Sequence, residues 1–205
     1  MTRPAPPILV TERLILRGWR RADLEPFARM NADASVMEHF PGLLSRRESD
    51  AFVRRIEATF RERGYGLWAI ERRLDGTFLG FTGLIDQTFE APFTPAVEVG
   101  WRLAAEAWGY GFATEAGREA VRYGFVEAGL DEIVSMTTPA NVRSRRVMEK
   151  LGMTRDPADD FEHPRVPPGP LRNHVLYRLS RTRWRATSAE LPSPAGDSDF
   201  VPQLH

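Results

Sequence analysis

The chain has 205 residues, of which 42% are hydrophobic and 27% charged, and this is the composition of one folded domain, not of a disordered, collagen-like or coiled-coil protein. Its 28 lysines and arginines balance its 28 aspartates and glutamates, so no global attraction to nucleic acid or to an anionic membrane is expected. The absence of cysteine excludes disulfides, zinc-thiolate sites, iron–sulfur clusters and cysteine nucleophiles.

Hydrophobic spacing, capping signals and turn residues predict the helices and strands. The sequence Ser45-Arg46-Arg47-Glu48 has the form of a capping box, Gly64 ends the helix that follows, and Asp75-Gly76 predicts a hairpin of two antiparallel strands. In chain order, the predicted strands are 14–16, 67–71, 77–85, 97–103, 132–137 and 175–179, and the predicted helices are 23–32, 45–64, 114–128 and 142–151. This mixture without regular alternation predicts an α+β (mixed α/β) domain on one largely antiparallel sheet.

The two ends of the chain differ from its middle. Residues 1–7 contain three prolines, and residues 186–205 are rich in Pro, Ser, Gly and Asp. Such segments bury too little apolar surface to offset the entropy of ordering. We therefore predict a flexible N-terminus at 1–7, one folded domain at 8–185 and a disordered tail at 186–205. No signal peptide or membrane-spanning segment is evident, so we expect a cytoplasmic protein.

A glycine-rich segment, Trp108-Gly109-Tyr110-Gly111-Phe112-Ala113-Thr114, lies between the predicted fourth strand and the next helix, and is called the glycine loop below. Glycine lets the backbone turn sharply and approach a ligand closely. The first turn of a helix leaves N–H groups unpaired at the positive end of its dipole. The glycine loop is therefore suited to binding a pyrophosphate without any lysine.

The glycine loop has three other possible interpretations. A P-loop is excluded because the segment lacks Gly-Lys-Ser/Thr. A dinucleotide fingerprint needs glycine where Thr114 stands and an acidic residue about 20 residues later in a parallel unit. Glu132 is roughly placed for that role, but the upstream antiparallel hairpin argues against it. A turn that binds nothing remains the alternative on this segment alone.

A second segment, Asn141-Val142-Arg143-Ser144-Arg145-Arg146-Val147-Met148-Glu149-Lys150-Leu151-Gly152-Met153, begins the helix after the next predicted strand. Together the two segments resemble the GCN5-related N-acetyltransferase (GNAT) superfamily, most closely the branch similar to ribosomal-protein alanine and serine N-acetyltransferases. That branch has the patterns W-G-x-G-x-A-T-E-A and N-x-x-S-x-x-V-x-E-K-x-G-F, and the chain departs from the second only by Met153. The segments 11–17 and 174–179 also look like that branch, so the resemblance covers about residues 9–179.

The resemblance implies a sheet whose fourth and fifth strands splay apart and admit the pantetheine arm of acetyl-CoA, the expected co-substrate. Backbone N–H groups of the glycine loop would bind its pyrophosphate, and the backbones of Trp101 and Leu103 would pair with the pantetheine amides. Asn141 would contact the same arm or cap its own helix, and Arg145 or Arg146 would reach the 3′-phosphate or remain a solvated charge. The predicted cofactor-binding residues are Trp101, Arg102, Leu103, Trp108, Gly109, Tyr110, Gly111, Phe112, Ala113, Thr114, Asn141 and Arg146.

Acetyl transfer needs a neutral amine, a group that accepts its proton, polarisation of the thioester carbonyl and a proton for the leaving thiolate. A backbone N–H near Val99 or Trp101 would polarise the carbonyl. Glu98, flanked by valines on the strand implied to carry the acetyl group, is the candidate base because burial there would raise its pKa. Its alternative is an outward-facing glutamate in an ion pair. Ser144 matches the family serine and is the candidate donor to the thiolate, with helix capping as its alternative.

The acceptor side is less clearly marked. His39 lies in the connection between the first two predicted helices, where the family forms its acceptor site, and Trp68 is placed to line the same side. A structural role is the alternative for both. His163 and His174 lack partners at ligand spacing, and no H-E-x-x-H or G-x-S-x-G sequence occurs, so neither a metal site nor a hydrolase triad is expected.

We therefore predict an acetyl-CoA-dependent N-acetyltransferase that transfers acetyl directly to a primary amine, either a protein N-terminus or a small-molecule amine. Two other functions remain open, a non-catalytic acyl-CoA-binding or regulatory module and a nucleotide-binding protein. The expected assembly is a monomer or a homodimer, without nucleic-acid or membrane partners.

Overall fold

A computed structural model describes residues 5–189 of the chain. Within this range the strands are β1 Leu9–Val10, β2 Leu14–Arg17, β3 Leu67–Arg72, β4 Phe78–Gln87, β5 Ala96–Leu103, β6 Glu132–Thr137, β7 Thr154–Arg155, β8 Phe161–Glu162 and β9 Asn173–Ser180. The α-helices are α1 Leu24–Ala32, α2 Arg46–Arg63, α3 Phe112–Val126, α4 Val142–Lys150 and α5 Arg181–Ala189. None of these helices is long and apolar enough to cross a membrane.

The strands form one open sheet in the order β1-β2-β3-β4-β5-β6-β9-β7, with β8 paired to β9. Neighbours are antiparallel except β5 and β6, which are parallel and meet at a single residue pair, Glu98 and Val134. Beyond that pair the two strands diverge. The predicted fourth and fifth strands are β5 and β6, so the mostly antiparallel sheet and its splayed pair are both confirmed.

Local sequence signals placed most element boundaries correctly. The hydroxyl of Ser45 accepts from the Glu48 N–H and the Glu48 carboxylate accepts from the Ser45 N–H, which completes the predicted capping box of α2. Gly64 ends that helix with φ +76°. Helix α3 begins at Phe112, two residues before the predicted start, because Gly111 takes the N-cap position in a left-handed conformation.

The ends of the chain depart in part from the predicted boundaries. Helix α5 was not predicted, and it carries the folded region to Ala189, past the predicted limit at residue 185. At the other end, Pro7 is held by a hydrogen bond from the Trp68 indole to its carbonyl. Residues 1–4 and 190–205 lie outside the described residues, so the predictions of a flexible N-terminus and a disordered tail stay predictions there.

Helices cover both faces of the sheet. Phe27 of α1 and Phe52 of α2 pack edge-on against Phe81 of β4. On the other face, Gly124 of α3 lies so close to the sheet that a Cβ would stand 2.7 Å from Ile133 Cδ1. Because side chains alternate along β5, Glu98, Gly100 and Arg102 share the face of Phe81 and of the first two helices, whereas Val99 and Leu103 pack toward α3.

Candidate active site

A cavity of about 930 Å³ opens where β5 and β6 diverge, and it is called the cleft below. Its walls come from the α1–α2 connection, β5, the glycine loop, β6, α4 and the segment before β9. This volume lies in the range of small-molecule and cofactor sites, about 300–1,000 Å³. The cleft therefore has the size and the position of a substrate site at the splay of the sheet.

The glycine loop lines one end of the cleft. Gly109 and Gly111 both have φ +83°, a left-handed conformation that disfavours residues with a Cβ. The Gly111 carbonyl accepts from the Glu115 N–H, which closes the first turn of α3. The N–H groups of the three residues before Glu115 have no partner within the helix, and they lie at the positive end of its dipole. The predicted anion-binding geometry is thus present in the backbone.

Arg13 holds the glycine loop in place. Its Nε donates to the Glu115 carboxylate at 2.7 Å, its Nη1 donates to the Tyr110 carbonyl at 3.0 Å, and its guanidinium lies 4.8 Å from the centre of the Phe112 ring. The Thr11 hydroxyl donates to the same carboxylate at 2.6 Å. This role has no local sequence signal, because Arg13 and Glu115 are 102 residues apart and nothing near either residue marks them as partners.

Trp108 shapes the junction between β5 and the loop. Its indole N–H donates to the Leu103 carbonyl at 3.0 Å, and the Arg143 guanidinium lies 4.7 Å from the centre of its ring. The Leu103 carbonyl therefore already has a donor from within the protein. Trp101, Leu103 and Trp108 all line the cleft, as their predicted contacts with a cofactor require.

The N-terminus of α4 lines the opposite wall. Asn141 is its N-cap, with Oδ1 accepting from the Ser144 N–H at 3.2 Å and Nδ2 donating to the Thr137 hydroxyl at 2.9 Å. The capping alternative for Asn141 is therefore present, and the capping alternative for Ser144 is not. Ser144 lines the cleft from the first turn of the helix, where the helix dipole favours negative charge.

Three basic residues at helical spacing lie along the rim of the cleft on α4: Arg143, Arg146 and Lys150. All three are exposed. Arg145, the other candidate for a 3′-phosphate, instead donates to the Pro139 carbonyl at 3.1 Å and to the Tyr177 hydroxyl at 3.3 Å. The geometry favours Arg146 over Arg145 as a residue available to an anion.

Glu98 lies on the floor of the cleft. Its carboxylate accepts from Gln87 Nε2 at 2.5 Å, and burial raises its pKa to about 7. Among the described residues it has no ion pair, so the outward-facing alternative is not the arrangement found. The Ser135 hydroxyl donates to the Val99 carbonyl at 2.9 Å and closes the gap between β5 and β6 just below it.

His39 and Arg102 line the acceptor side of the cleft. His39 Nδ1 lies 3.2 Å from the Thr138 hydroxyl, which links the α1–α2 connection to the end of β6. The Arg102 side chain points to the first two helices, with Nη1 donating to Asn31 Oδ1 at 2.6 Å. This side chain was grouped with the cofactor-binding residues, and its contacts lie with the acceptor wall instead.

Trp68 does not reach the cleft, which corrects its predicted contact with substrate. Its side chain is fully buried between Phe60 and Tyr123, at ring-centroid distances of 5.1 and 5.2 Å. Its N–H donates to the Pro7 carbonyl at 2.8 Å. The reason is alternation along β3, which directs this residue into the core between α2 and α3 and away from the α1–α2 connection.

A core role for Trp68 gives a measurable expectation. Trp68→Ala should lower the free energy of unfolding by about 3–5 kcal/mol, because it removes a large buried ring and leaves a cavity. Trp68→Phe should lose less stability and leave the KM for the acceptor unchanged. Chemical denaturation and steady-state kinetics check this, and an altered acceptor KM in a stable Trp68→Phe protein would restore a substrate role.

Groups of three or more residues able to hold a metal ion are absent from the part of the chain that the structure describes. His163 and His174 lie side by side at the edge of the cleft, with ring centroids 5.0 Å apart. Burial lowers the pKa of both imidazoles. His163 Nδ1 accepts from the Arg165 N–H, and His174 Nδ1 lies 3.0 Å from the Arg172 carbonyl.

Comparison with known proteins agrees with this geometry. The chain is 35% identical over 148 residues to the uncharacterized protein YkkB of Bacillus subtilis, covering 71% of this chain and 84% of that protein. It is 35% identical over 125 residues to the FsC-acetyl coenzyme A-N(2)-transacetylase of Aspergillus fumigatus, covering 59% of this chain and 52% of that protein. A crystal structure of an acetyltransferase from Agrobacterium tumefaciens superposes with a TM-score of 0.69 at 26% identity, covering 85% of this chain and 95% of that chain.

Residues 13–154, well over half of the sequence, match the acetyltransferase (GNAT) domain family. The chain thus belongs to the GNAT family, and it is an N-acetyltransferase.

Proposed function

We propose that this N-acetyltransferase takes acetyl from acetyl-CoA and transfers it directly to a primary amine in a ternary complex, with Glu98 as the base. The observation that carries the proposal is that the glycine loop and Glu98 open into the same cleft. One is a backbone site for a pyrophosphate and the other is a carboxylate whose pKa lies near 7. The site thus combines anion binding with proton transfer.

Acetyl-CoA would bind along the cleft from the glycine loop to the splay of the strands. The free N–H groups at the start of α3 would bind the pyrophosphate, and Arg146 on the rim would meet the 3′-phosphate. The carbonyls of Val99 and Leu103 already accept from Ser135 and Trp108 on the cleft side of β5. Peptide groups point alternately to the two edges of a strand, and Trp101 lies two residues from each of these residues. The N–H and the carbonyl of Trp101 therefore also point to the cleft side of β5. The Trp101 carbonyl and the Leu103 N–H, which lies on the same edge of β5, are therefore the candidates to pair with the pantetheine amides.

Glu98 would act on the amine of the acceptor. Amines are mostly protonated at neutral pH, and only the neutral form attacks a thioester, so a base must remove one proton. A carboxylate with a pKa near 7 is ionised in a useful fraction and is far more basic than an ordinary glutamate. The hydrogen bond from Gln87 orients the carboxylate. This contact supports Glu98 as a positioned base.

Attack by the amine forms the C–N bond and turns the thioester carbonyl into an oxyanion. The N–H of Trp101 is placed on the correct edge of β5 to stabilise that charge. Collapse then breaks the C–S bond, and the second proton of the amine nitrogen passes to the departing sulfur, so that the products are the amide and the CoA thiol. The thiolate needs a hydrogen-bond donor as it forms. The Ser144 hydroxyl, in the first turn of α4, is the candidate donor.

Ligand-induced stabilisation tests the proposal and separates it from its alternatives. With acetyl-CoA, CoA, dephospho-CoA, ATP and NAD each present at the same concentration, about 100 times the Kd of acetyl-CoA, binding of acetyl-CoA should add roughly 2.7 kcal/mol to stability. We expect Tm to rise with acetyl-CoA and CoA, less with dephospho-CoA because Arg146 loses its partner, and not with ATP or NAD.

The same experiment has outcomes that count against the proposal. A rise with ATP or NAD alone would favour the nucleotide-binding alternative. A rise with acetyl-CoA, but no release of CoA with any of a broad panel of amines, would favour an acyl-CoA-binding module. No rise with acetyl-CoA in a well-folded sample would leave the glycine loop an ordinary turn.

A further inference from the structure

Arg102 is a cation in the cleft whose partners are incomplete. Its guanidinium carbon lies 4.0 Å from the centre of the Phe40 ring and 5.5 Å from that of Phe81, and Nη1 donates to Asn31 Oδ1. Its Nε is buried and has no hydrogen-bond partner among the described residues. A buried N–H without an acceptor costs free energy, so the guanidinium is incompletely paired, and Nη2, which is neither hydrogen-bonded to a described residue nor buried like Nε, is the nitrogen that a ligand in the cleft can reach.

No carboxylate lies within ion-pair distance of Arg102 in the range 5–189. Burial lowers its pKa to about 10, so it still carries its charge at neutral pH. The other enclosed arginine, Arg17, shows the usual arrangement, because its guanidinium pairs with Asp23 at 2.7 Å and Glu71 at 2.6 Å. A buried cation without an anion is unfavourable unless a ligand supplies one.

The position of Arg102 indicates which ligand that is. It shares one face of β5 with Glu98, four residues and about 13 Å of strand away. Between them lies Gly100, and a Cβ built there would meet nothing within 4 Å. Glu98, Gly100 and Arg102 all line the cleft. One molecule in the open space over Gly100 can therefore meet a carboxylate at one end and a guanidinium at the other.

We propose that Arg102 binds a carboxylate of the acceptor, so that the substrate class is amines that also carry a carboxylate several bonds from the amine. This inference rests on the proposed function, since it assigns the amine end to Glu98. Planar guanidinium and carboxylate groups pair through two parallel hydrogen bonds, and Phe40 holds the guanidinium in place. The carboxylate comes either from a small amino acid-like molecule or from an acidic peptide. Polyamines, with a second cation at that position, are excluded by repulsion.

Matched acceptors test this assignment. The first series is 4-aminobutyrate, 6-aminohexanoate and 8-aminooctanoate with their primary amides and spermidine. The second is C-terminally amidated tripeptides with Asp, Glu, Asn or Gln at the second or third position. For the preferred length we expect kcat/KM to be about 10- to 100-fold higher for the carboxylate than for its amide, because a charge-assisted hydrogen bond is lost in the amide. The two series distinguish a small acceptor from a peptide.

In Arg102→Met the ratio of kcat/KM for the carboxylate to that for its amide should fall to about one, and the Kd of acetyl-CoA should stay unchanged. Arg102→Lys should keep part of the preference for the carboxylate, because lysine retains the positive charge but lacks the two parallel N–H donors of the guanidinium. Three results would overturn the inference. They are the same carboxylate-to-amide ratio in the wild type and in Arg102→Met, a preference of the wild type for spermidine, and weaker acetyl-CoA binding in both variants. If no acceptor turns over, a Tm increase with a carboxylate probe in the wild type but not in Arg102→Met supports it, and no increase counts against it. Failure of the proposed function is distinct, because acetyl-CoA itself then does not bind.

Discussion

Replacing Glu98 by glutamine is expected to lower kcat at least about 100-fold, while the Kd of acetyl-CoA stays within a factor of two or so of the wild type. Glutamine keeps the size of the side chain and can still hydrogen-bond to Gln87, but it cannot accept the proton of the amine. Steady-state kinetics with a saturating amine and calorimetric titration of acetyl-CoA measure the two quantities separately.

The dependence on pH follows from the pKa of Glu98. A base works in its ionised form, so kcat/KM in the wild type should rise as pH increases through about 7 and should then level off. Glu98→Gln should lose this rising limb. Ionisation of the amine affects the pH profile of both proteins equally. The difference between the two profiles therefore reports the ionisation of the Glu98 carboxylate alone.

Stability should change in the opposite direction from activity. The folded carboxyl has a pKa of about 7 against 4.5 for an unperturbed one, so the folded state binds more protons between these values. The free energy of unfolding therefore falls as pH rises from about 4.5 to about 7, by on the order of 3 kcal/mol from this group. At pH 8 Glu98→Gln should be more stable than the wild type.

Glu57→Gln is a matched control, because Glu57 is an exposed glutamate of α2 outside the cleft. It should leave kcat, the pH profile and the stability curve unchanged. An active Glu98→Gln enzyme with an intact rising limb would remove Glu98 from the mechanism. Loss of acetyl-CoA binding in Glu98→Gln would instead indicate a structural role at the splay of β5 and β6.

Features set by neighbouring residues could be predicted from the sequence. The capping box at Ser45, the glycine that ends α2 and the hairpin at Asp75-Gly76 depend on the backbone within a few residues, and each lies where expected. The strands β1, β7 and β8 were missed because two residues are too few to show a period. Helix α5 was missed because its sequence, RTRWRATSA, has one large apolar residue, Trp184, and so shows no apolar face at helical spacing.

Features set by contacts between distant segments could not be predicted. Arg13 supports the glycine loop across 102 residues, and Arg102 meets Asn31 across 71 residues. Nothing in the local sequence shows that a strand arginine will have a carboxylate partner or lack one. Trp68 illustrates the same limit, since its place on a strand was clear but the face that it occupies depends on how the helices pack. Glu98 could be proposed from its flanking valines, but its hydrogen bond from Gln87 depends on the β4–β5 register.

The second large effect is expected at Gly109, where aspartate should weaken acetyl-CoA binding at least about 100-fold. Gly109 has φ +83° and is exposed at the end of the cleft, with nothing within 4 Å of a Cβ built on it. Aspartate tolerates the left-handed conformation better than most residues, so the fold should survive. Its carboxylate would stand among the N–H groups that bind the pyrophosphate and would repel it.

Two controls separate charge from strain in this loop. Gly109→Asn has nearly the same shape as Gly109→Asp without the charge, so it should weaken binding less. Gly129→Asp places the same residue at a glycine with φ +72° and open surroundings after α3, away from the cleft, so it should cost similar stability and leave binding unchanged. Calorimetric titration at two salt concentrations checks the charge effect, because repulsion between exposed charges weakens as salt increases. If Gly109→Asn and Gly109→Asp weaken acetyl-CoA binding equally, the loss comes from the size of the new side chain and not from its charge. If acetyl-CoA binding is unchanged in all three variants, the pyrophosphate does not bind at the glycine loop.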